Sequence, residues 1–63
     1  MKAYRIIAKN LRTGIRVERQ QIDGKLITNE DEAWMTARAF AQSQFEKTGE
    51  QWSAHVESYN TRP

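Results

Sequence analysis

Residues 28–49 read TNEDEAWMTARAFAQSQFEKTG, and this stretch decides the fold. Thr28 or Asn29 can cap a helix N-terminus, and the acidic residues that follow suit the positive end of the helix dipole. Apolar residues then recur every three or four positions, as Ala33, Trp34, Ala37, Phe40, Ala41 and Phe45. Because Lys47 and Gly49 form a typical stop signal, the spacing predicts a helix over about residues 30–48.

Three other segments alternate between apolar and polar residues, as β-strands with one buried face do: residues 2–9, 15–22 and 51–59. In the first segment Tyr4, Ile6 and Ala8 share one face. Turn-forming residues around Gly14 lie between the first two segments. Because this connection is short, the two strands are expected to form an antiparallel hairpin.

The residues between the second strand and the helix are less decisive. Asp23 and Gly24 form a strong turn dipeptide, but the apolar segment after them is short. Residues 25–28 therefore form either a short extra strand or a segment whose Leu26 and Ile27 plug the core. The second interpretation is favoured, and neither changes the fold class.

The element order β-β-α-β predicts an α+β fold. A right-handed crossover through the helix places the last strand beside the first, which gives a three-stranded antiparallel sheet of order 2-1-3. The helix covers one face of this sheet. Residues 1–63 are expected to form a single domain with a frayed tail at 60–63. The expected core consists of Tyr4, Ile6, Ala8, Ile15, Val17, Leu26, Trp34, Ala37, Phe40, Ala41, Phe45, Trp52, Ala54 and Val56.

The composition excludes several classes of protein. The chain has 63 residues, no cysteine and one histidine, which leaves no disulfide and too few ligands for a structural zinc site. No apolar run approaches the length of a signal sequence or a transmembrane helix. We therefore expect a cytoplasmic protein without a membrane partner, a metal, a cofactor or a small-molecule substrate.

Catalysis is not expected either. His55 is the only side chain whose ordinary titration lies near neutral pH. Ser53, His55 and Glu57 alternate along one strand, so they share one polar face without the turn or pocket that a nucleophile and its base require. The sequence predicts a protein that is not an enzyme.

Charge is distributed unevenly along the chain. Residues 1–27 hold seven cations and two anions, a net charge of +5, whereas residues 28–63 hold three cations and six anions, a net charge of −3. A basic two-stranded ribbon can follow a phosphate backbone. The leading hypothesis is therefore a small binding protein that contacts nucleic acid through the hairpin, with Arg5, Lys9, Arg12, Arg16 and Arg19 as candidate residues.

Two alternatives remain open. Alternating cations on an exposed strand face are also a common solubilising pattern, and they discourage edge-to-edge aggregation. A small cysteine-free domain with an uncovered sheet face also has reason to form a homodimer or to bind another protein. The candidate residues for such an accessory or adaptor protein are Ile7, Ile22, Met35, Ala39 and Tyr59.

Overall fold

The computed structural model describes residues 1–61. In chain order the elements are β1 (Lys2–Asn10), β2 (Arg16–Arg19), β3 (Gln21–Ile22), β4 (Lys25–Leu26), α1 (Glu30–Thr48) and β5 (Trp52–Asn60). Strands β2, β1 and β5 form an antiparallel sheet in that order, and β3 pairs with β4 in a separate two-stranded sheet. The α+β class and the placement of the last strand beside the first are confirmed.

Helix α1 begins and ends where the sequence predicts. The Asn29 side chain accepts a hydrogen bond from the Glu32 backbone N–H at 2.9 Å, which satisfies one of the free donors of the first turn. Gly49 adopts a left-handed conformation with φ of 73°, and its N–H donates to the Phe45 carbonyl at 2.7 Å. Both ends are therefore fixed by local chemistry.

The second predicted strand is interrupted. Pairing between β1 and β2 stops at Ile6 and Arg19, and the place beside Tyr4 is taken by Ile27, whose carbonyl accepts from the Tyr4 N–H at 2.8 Å. The intervening residues leave the sheet as the β3–β4 hairpin, which turns at Asp23 and Gly24 with φ values of 52° and 78°. The expectation of one strand over 15–22 is wrong for this reason.

Both interpretations of residues 25–28 are partly right. Lys25 and Leu26 form the short strand β4, while Ile27 is the core plug, with 1% of its surface exposed. Leu26 is 37% exposed, because the side chains of successive residues in extended chain point in opposite directions.

The core lies between α1 and the sheet, around strands β1 and β5. Its central buried residues are Ile6, Ile27, Ala33 and Ala37, with Ala8 and Ala41 also buried. Ala3 and Ile7 are buried too, although they lie on the opposite face of β1. Three predicted core residues are exposed instead: Ile15, Leu26 and Phe45. Ile15 lies at the end of the hairpin beside β2, and the helix packs on β1 and β5 and leaves that corner uncovered. Phe45 lies in the last turn of α1, beside the outer edge of β5.

The two ends of the described chain meet. Asn60 is the last residue of β5, and the Thr61 N–H donates to the Met1 carbonyl at 2.8 Å. Asn60 and Thr61 are therefore hydrogen-bonded or paired rather than frayed, while Arg62 and Pro63 lie outside the described residues.

Within residues 1–61, α1 is too polar to cross a membrane.

Candidate interaction surfaces

One face of the three-stranded sheet is not covered by α1, and we call it the open face. It carries Ala3, Arg5, Ile7, Lys9, Arg16, Glu18, Ser53, His55, Glu57 and Tyr59. Ile7, a candidate for a protein interface, is only 1% exposed, although it lies on this face. Glu18 and His55 flank it on the neighbouring strands. Ile7 is therefore part of the protein's own packing and offers little surface to a partner.

Arg5 is surrounded by groups that satisfy its charge. Its guanidinium lies 3.4 Å from a carboxylate oxygen of Glu57 and 3.8 Å from one of Glu18. It also lies 5.3 Å from the centre of the Tyr59 ring, within cation–π range. Arg5 and Tyr59, which were assigned to different candidate sites, thus form one contact. The open face is a mixed network of charges rather than a uniformly basic surface.

Lys9 and Arg16 lie directly opposite each other on β1 and β2. The hydrogen bond from the Asn10 N–H to the Ile15 carbonyl, at 2.8 Å, shows that even-numbered β1 residues bond to β2. Lys9 and Arg16 therefore form a non-hydrogen-bonded pair, in which side chains approach most closely. Arg16 lies 3.7 Å from Glu57 and 3.9 Å from Glu18, whereas Lys9 has no ion pair within residues 1–61.

The hairpin tip, residues 11–15, is held by the buried side chain of Asn10. Its Oδ1 accepts from the backbone N–H groups of Arg12 at 2.8 Å and Thr13 at 3.1 Å, and its Nδ2 donates to Glu50 Oε1 at 3.0 Å. Arg12 Nε makes a short ion pair with Glu50 Oε2. The hydrogen bond from Arg12, and then that from Asn10, lowers the pKa of Glu50 below its ordinary value. These contacts tie the tip to the start of β5.

The fixed tip presents two apolar side chains to solvent. Leu11 is 63% exposed and Ile15 is 59% exposed. Strand β5 begins at Trp52, opposite Asn10, so the tip extends beyond the third strand. Lys9, Arg12 and Arg16 lie at this end of the sheet and together form what we call the tip cluster.

Arg19 is separated from Lys9 and Arg16, although it lines an open depression together with Arg5. It pairs with Ile6 in register, which places it on the helix-covered face, and its guanidinium lies 5.1 Å from the centre of the Phe40 ring. Arg19 therefore does not belong to the surface formed by Lys9 and Arg16.

The helix back and the β3–β4 hairpin bring two other candidates together. Ile22 and Ala39 line one open groove of about 310 Å³, with Arg19 and Phe40 among its other lining residues. Met35, one turn before Ala39 on α1, is 68% exposed.

Two polar residues of β5, Ser53 and His55, make a contact of the kind that a serine nucleophile and its base make in an enzyme. Ser53 Oγ lies 2.8 Å from His55 Nε2 on the exposed face. Within residues 1–61 no carboxylate bonds to the other ring nitrogen, and no group of three or more His, Cys, Asp or Glu residues converges as metal ligands would.

Sequence reasoning placed Asn10 in the turn but gave its side chain no further role, and it missed Glu50. Asn10 had a local signal, because an Asn at the start of a turn is typical of an Asx turn, in which its side-chain oxygen accepts from later backbone N–H groups. Glu50 had no such signal, since it meets Arg12 only through the pairing of β1 with β5.

No family model matches the chain, and searches of curated proteins and of solved structures returned no significant match.

Proposed function

We propose that this protein is a non-enzymatic binding protein that contacts the phosphate backbone of nucleic acid through the tip cluster, Lys9, Arg12 and Arg16. The observation that carries the proposal is the juxtaposition of Lys9 and Arg16 as a close cross-strand pair. Like charges placed directly opposite each other destabilise a sheet. A phosphate bound between these two side chains would relieve that repulsion.

The rest of the tip suits the same ligand. Arg12 is tethered by Glu50 in an exposed ion pair, and such pairs contribute only about 0–1 kcal/mol, so a phosphate can replace the carboxylate at little cost. The exposed Leu11 and Ile15 supply apolar contacts to sugars or bases on either side of Arg12. Because Asn10 already holds the turn, little conformational entropy is lost on binding.

Two of the five candidate cations are left out of the proposed site. Arg5 shares the carboxylates of Glu57 and Glu18 with Arg16, but it also lies against the Tyr59 ring, and its side chain is 31% exposed, compared with 49% for Arg16. Arg19 lies on the other face, against Phe40. The proposed site therefore contains three of the five cations expected from the sequence.

Fluorescence anisotropy with labelled duplex DNA, single-stranded DNA and RNA tests the proposal. Three phosphate contacts to a duplex predict a log–log salt slope of about −2.7, which is about a 40-fold loss of affinity between 50 and 200 mM salt. The double variant Lys9→Gln/Arg16→Gln should reduce the slope to about −0.9. The control Lys2→Gln/Lys25→Gln removes the same charge from exposed positions away from the tip.

Two results would contradict the proposal. One is the absence of binding to all three nucleic acids at 50 mM salt. The other is an equal loss of affinity in the tip variant and in the control, since that would indicate attraction by net charge alone. The alternative role, an accessory protein that binds protein through the open sheet face or the back of the helix, stays a prediction.

A further inference from the structure

The outer edge of β5 is a row of backbone groups without partners in the described chain. Two hydrogen bonds flank the strand: the Leu11 N–H donates to the Gln51 carbonyl at 3.0 Å, and the Thr61 N–H donates to the Met1 carbonyl at 2.8 Å. In an antiparallel pair, hydrogen-bonded and non-hydrogen-bonded positions alternate. Odd-numbered residues of β5 therefore bond to β1, and the N–H and C=O groups of even-numbered residues, 52 to 60, point away from the sheet.

The two edges of this sheet differ in how they discourage pairing. Edge strand β2 has only four residues, and three of them, Arg16, Glu18 and Arg19, are charged. Edge strand β5 has nine residues and a single charge, at Glu57, with neither lysine nor proline. Its register with β1 is continuous over all nine residues, so no bulge twists the edge away. Short length, charge, proline and bulges are the usual devices that block an edge, and β5 has none beyond Glu57.

We propose that β5 pairs antiparallel with β5 of a second copy of this chain, with the two-fold axis at Val56, to form a continuous six-stranded sheet. In a two-fold symmetric pair of β5 strands, the outward N–H and C=O groups of one strand bond to those of the other. This requires even-numbered residues to face even-numbered residues, so one residue lies opposite its own copy on the axis. With Val56 on the axis, all nine residues of each strand overlap. The five outward-facing residues of each strand then form five pairs that exchange two hydrogen bonds each.

Side-chain complementarity favours this register over its neighbours. The axis at Val56 places His55 opposite Glu57 of the second copy, and symmetry repeats the contact. These residues lie on the open face in close, non-hydrogen-bonded positions, where an imidazole N–H can donate to a carboxylate. An axis at Glu57 would place two glutamates opposite each other, and an axis at His55 would do the same for two imidazoles. Both shifts also shorten the overlap to seven residues.

Glu57 already has neighbours within its own subunit. Its carboxylate lies 3.4 Å from Arg5 and 3.7 Å from Arg16. His55 has Ser53 at 2.8 Å, and Lys9 and Arg16 line the same shallow depression beside it. The Glu57 carboxylate thus lies between two guanidinium groups of its own subunit, and the imidazole of the second copy adds a further hydrogen-bond donor to it.

The helix-covered flank of the edge also suits an added strand. A shallow groove of about 280 Å³ runs between α1 and β5, where Phe45 is 39% exposed and Trp52 is half-buried. In the proposed register Asn60 of the second copy lies opposite Trp52, and Ser58 of the second copy lies opposite Ala54. These small or polar residues fit beside the two aromatic rings without competing for the core.

Engineered disulfides in this cysteine-free chain test the register directly. Residues in a non-hydrogen-bonded pair have Cα atoms about 4.5 Å apart, which lies within the range that a disulfide spans. Under mild oxidation, His55→Cys mixed with Glu57→Cys should give a mixed disulfide dimer, and each variant alone should give little. Predominant crosslinking of either variant with itself would overturn the register.

Sedimentation equilibrium tests the dimer itself and the use of the edge. Ser58→Pro removes an outward N–H while leaving the bonds to β1 intact, and an edge strand tolerates proline at such a position. Because symmetry doubles the loss, the dimer dissociation constant should rise about 5- to 150-fold. The control Ser58→Ala keeps the N–H and should dimerise like the parent chain, and far-ultraviolet circular dichroism verifies that both variants fold. A monomer at millimolar concentration, or a dimer that Ser58→Pro does not weaken, would overturn the proposal.

Discussion

Replacing Asn10 with alanine should destabilise the protein more than its position at the end of a strand would lead one to expect. Asn10 is 2% exposed, and its side chain makes three hydrogen bonds, two to the turn and one to Glu50. At a net contribution of about 0.5–1.5 kcal/mol for each of these three bonds, the variant should lose about 1.5–4.5 kcal/mol. A chain of this length has a free energy of unfolding of about 3–9 kcal/mol, so the loss is a large fraction of the total.

Urea unfolding followed by circular dichroism measures this loss, and Asn29→Ala is the matched comparison. Asn29 is exposed and its side chain makes one hydrogen bond, to the N–H of Glu32, so its removal should cost about 1 kcal/mol. Asn10→Asp keeps both turn bonds but places a second carboxylate against Glu50, so its deficit should shrink as the pH is lowered. An Asn10→Ala loss no larger than that of Asn29→Ala would refute the reasoning.

Two further predictions concern the core and the acid response. Ile27→Ala should cost about 2–5 kcal/mol, whereas Leu26→Ala, at the adjacent and partly exposed position, should cost about 1 kcal/mol or less; equal losses in urea titrations would contradict the assigned core. Because hydrogen bonds from Arg12 and Asn10 lower the pKa of Glu50 in the folded state, its stabilisation is present above the ordinary pKa of about 4.3 and is lost as the pH falls through the lower, folded value. The stability difference between the parent chain and Glu50→Gln should therefore narrow in urea titrations from pH 7 towards pH 2, and a constant difference would contradict this assignment.

The two proposals use different features of the molecule, which meet on the open face where Arg16 lies 3.7 Å from Glu57. The phosphate site rests on cationic side chains at the hairpin end of the sheet, and the dimer rests on backbone hydrogen bonds along the outer edge of β5. Pairing through β5 would leave both hairpin tips uncovered. Failure of either proposal therefore does not decide the other.

Patterns that act over a few residues predicted most of the fold. The helix bounds follow from the Asn29 cap, the apolar spacing and Gly49, all of which are local signals. The strand order follows from the handedness of one crossover. The end of the second strand at Arg19 was harder to see, because Gln21 and Ile22 continue an alternating pattern after the pairing has stopped.

The candidate site was less predictable than the fold, because charge counted along the chain says little about which charges meet. The hairpin has a net positive charge in sequence, yet Arg5 and Arg16 contact Glu57, which lies on the last strand. Arg19 turns to the other face of the sheet. Lys9 and Arg16, two of the candidate residues, lie directly opposite each other because the hairpin register places them there.

Pairing of β1 with β5 governs when the sheet can be completed during translation. The two strands begin about fifty residues apart, so at about 5–20 residues per second the ribosome delivers β5 roughly 3–10 s after β1. Throughout that interval Ile6 and Ile7 lack the neighbours that later cover them. The nascent chain thus spends seconds with its central strand unprotected on one side.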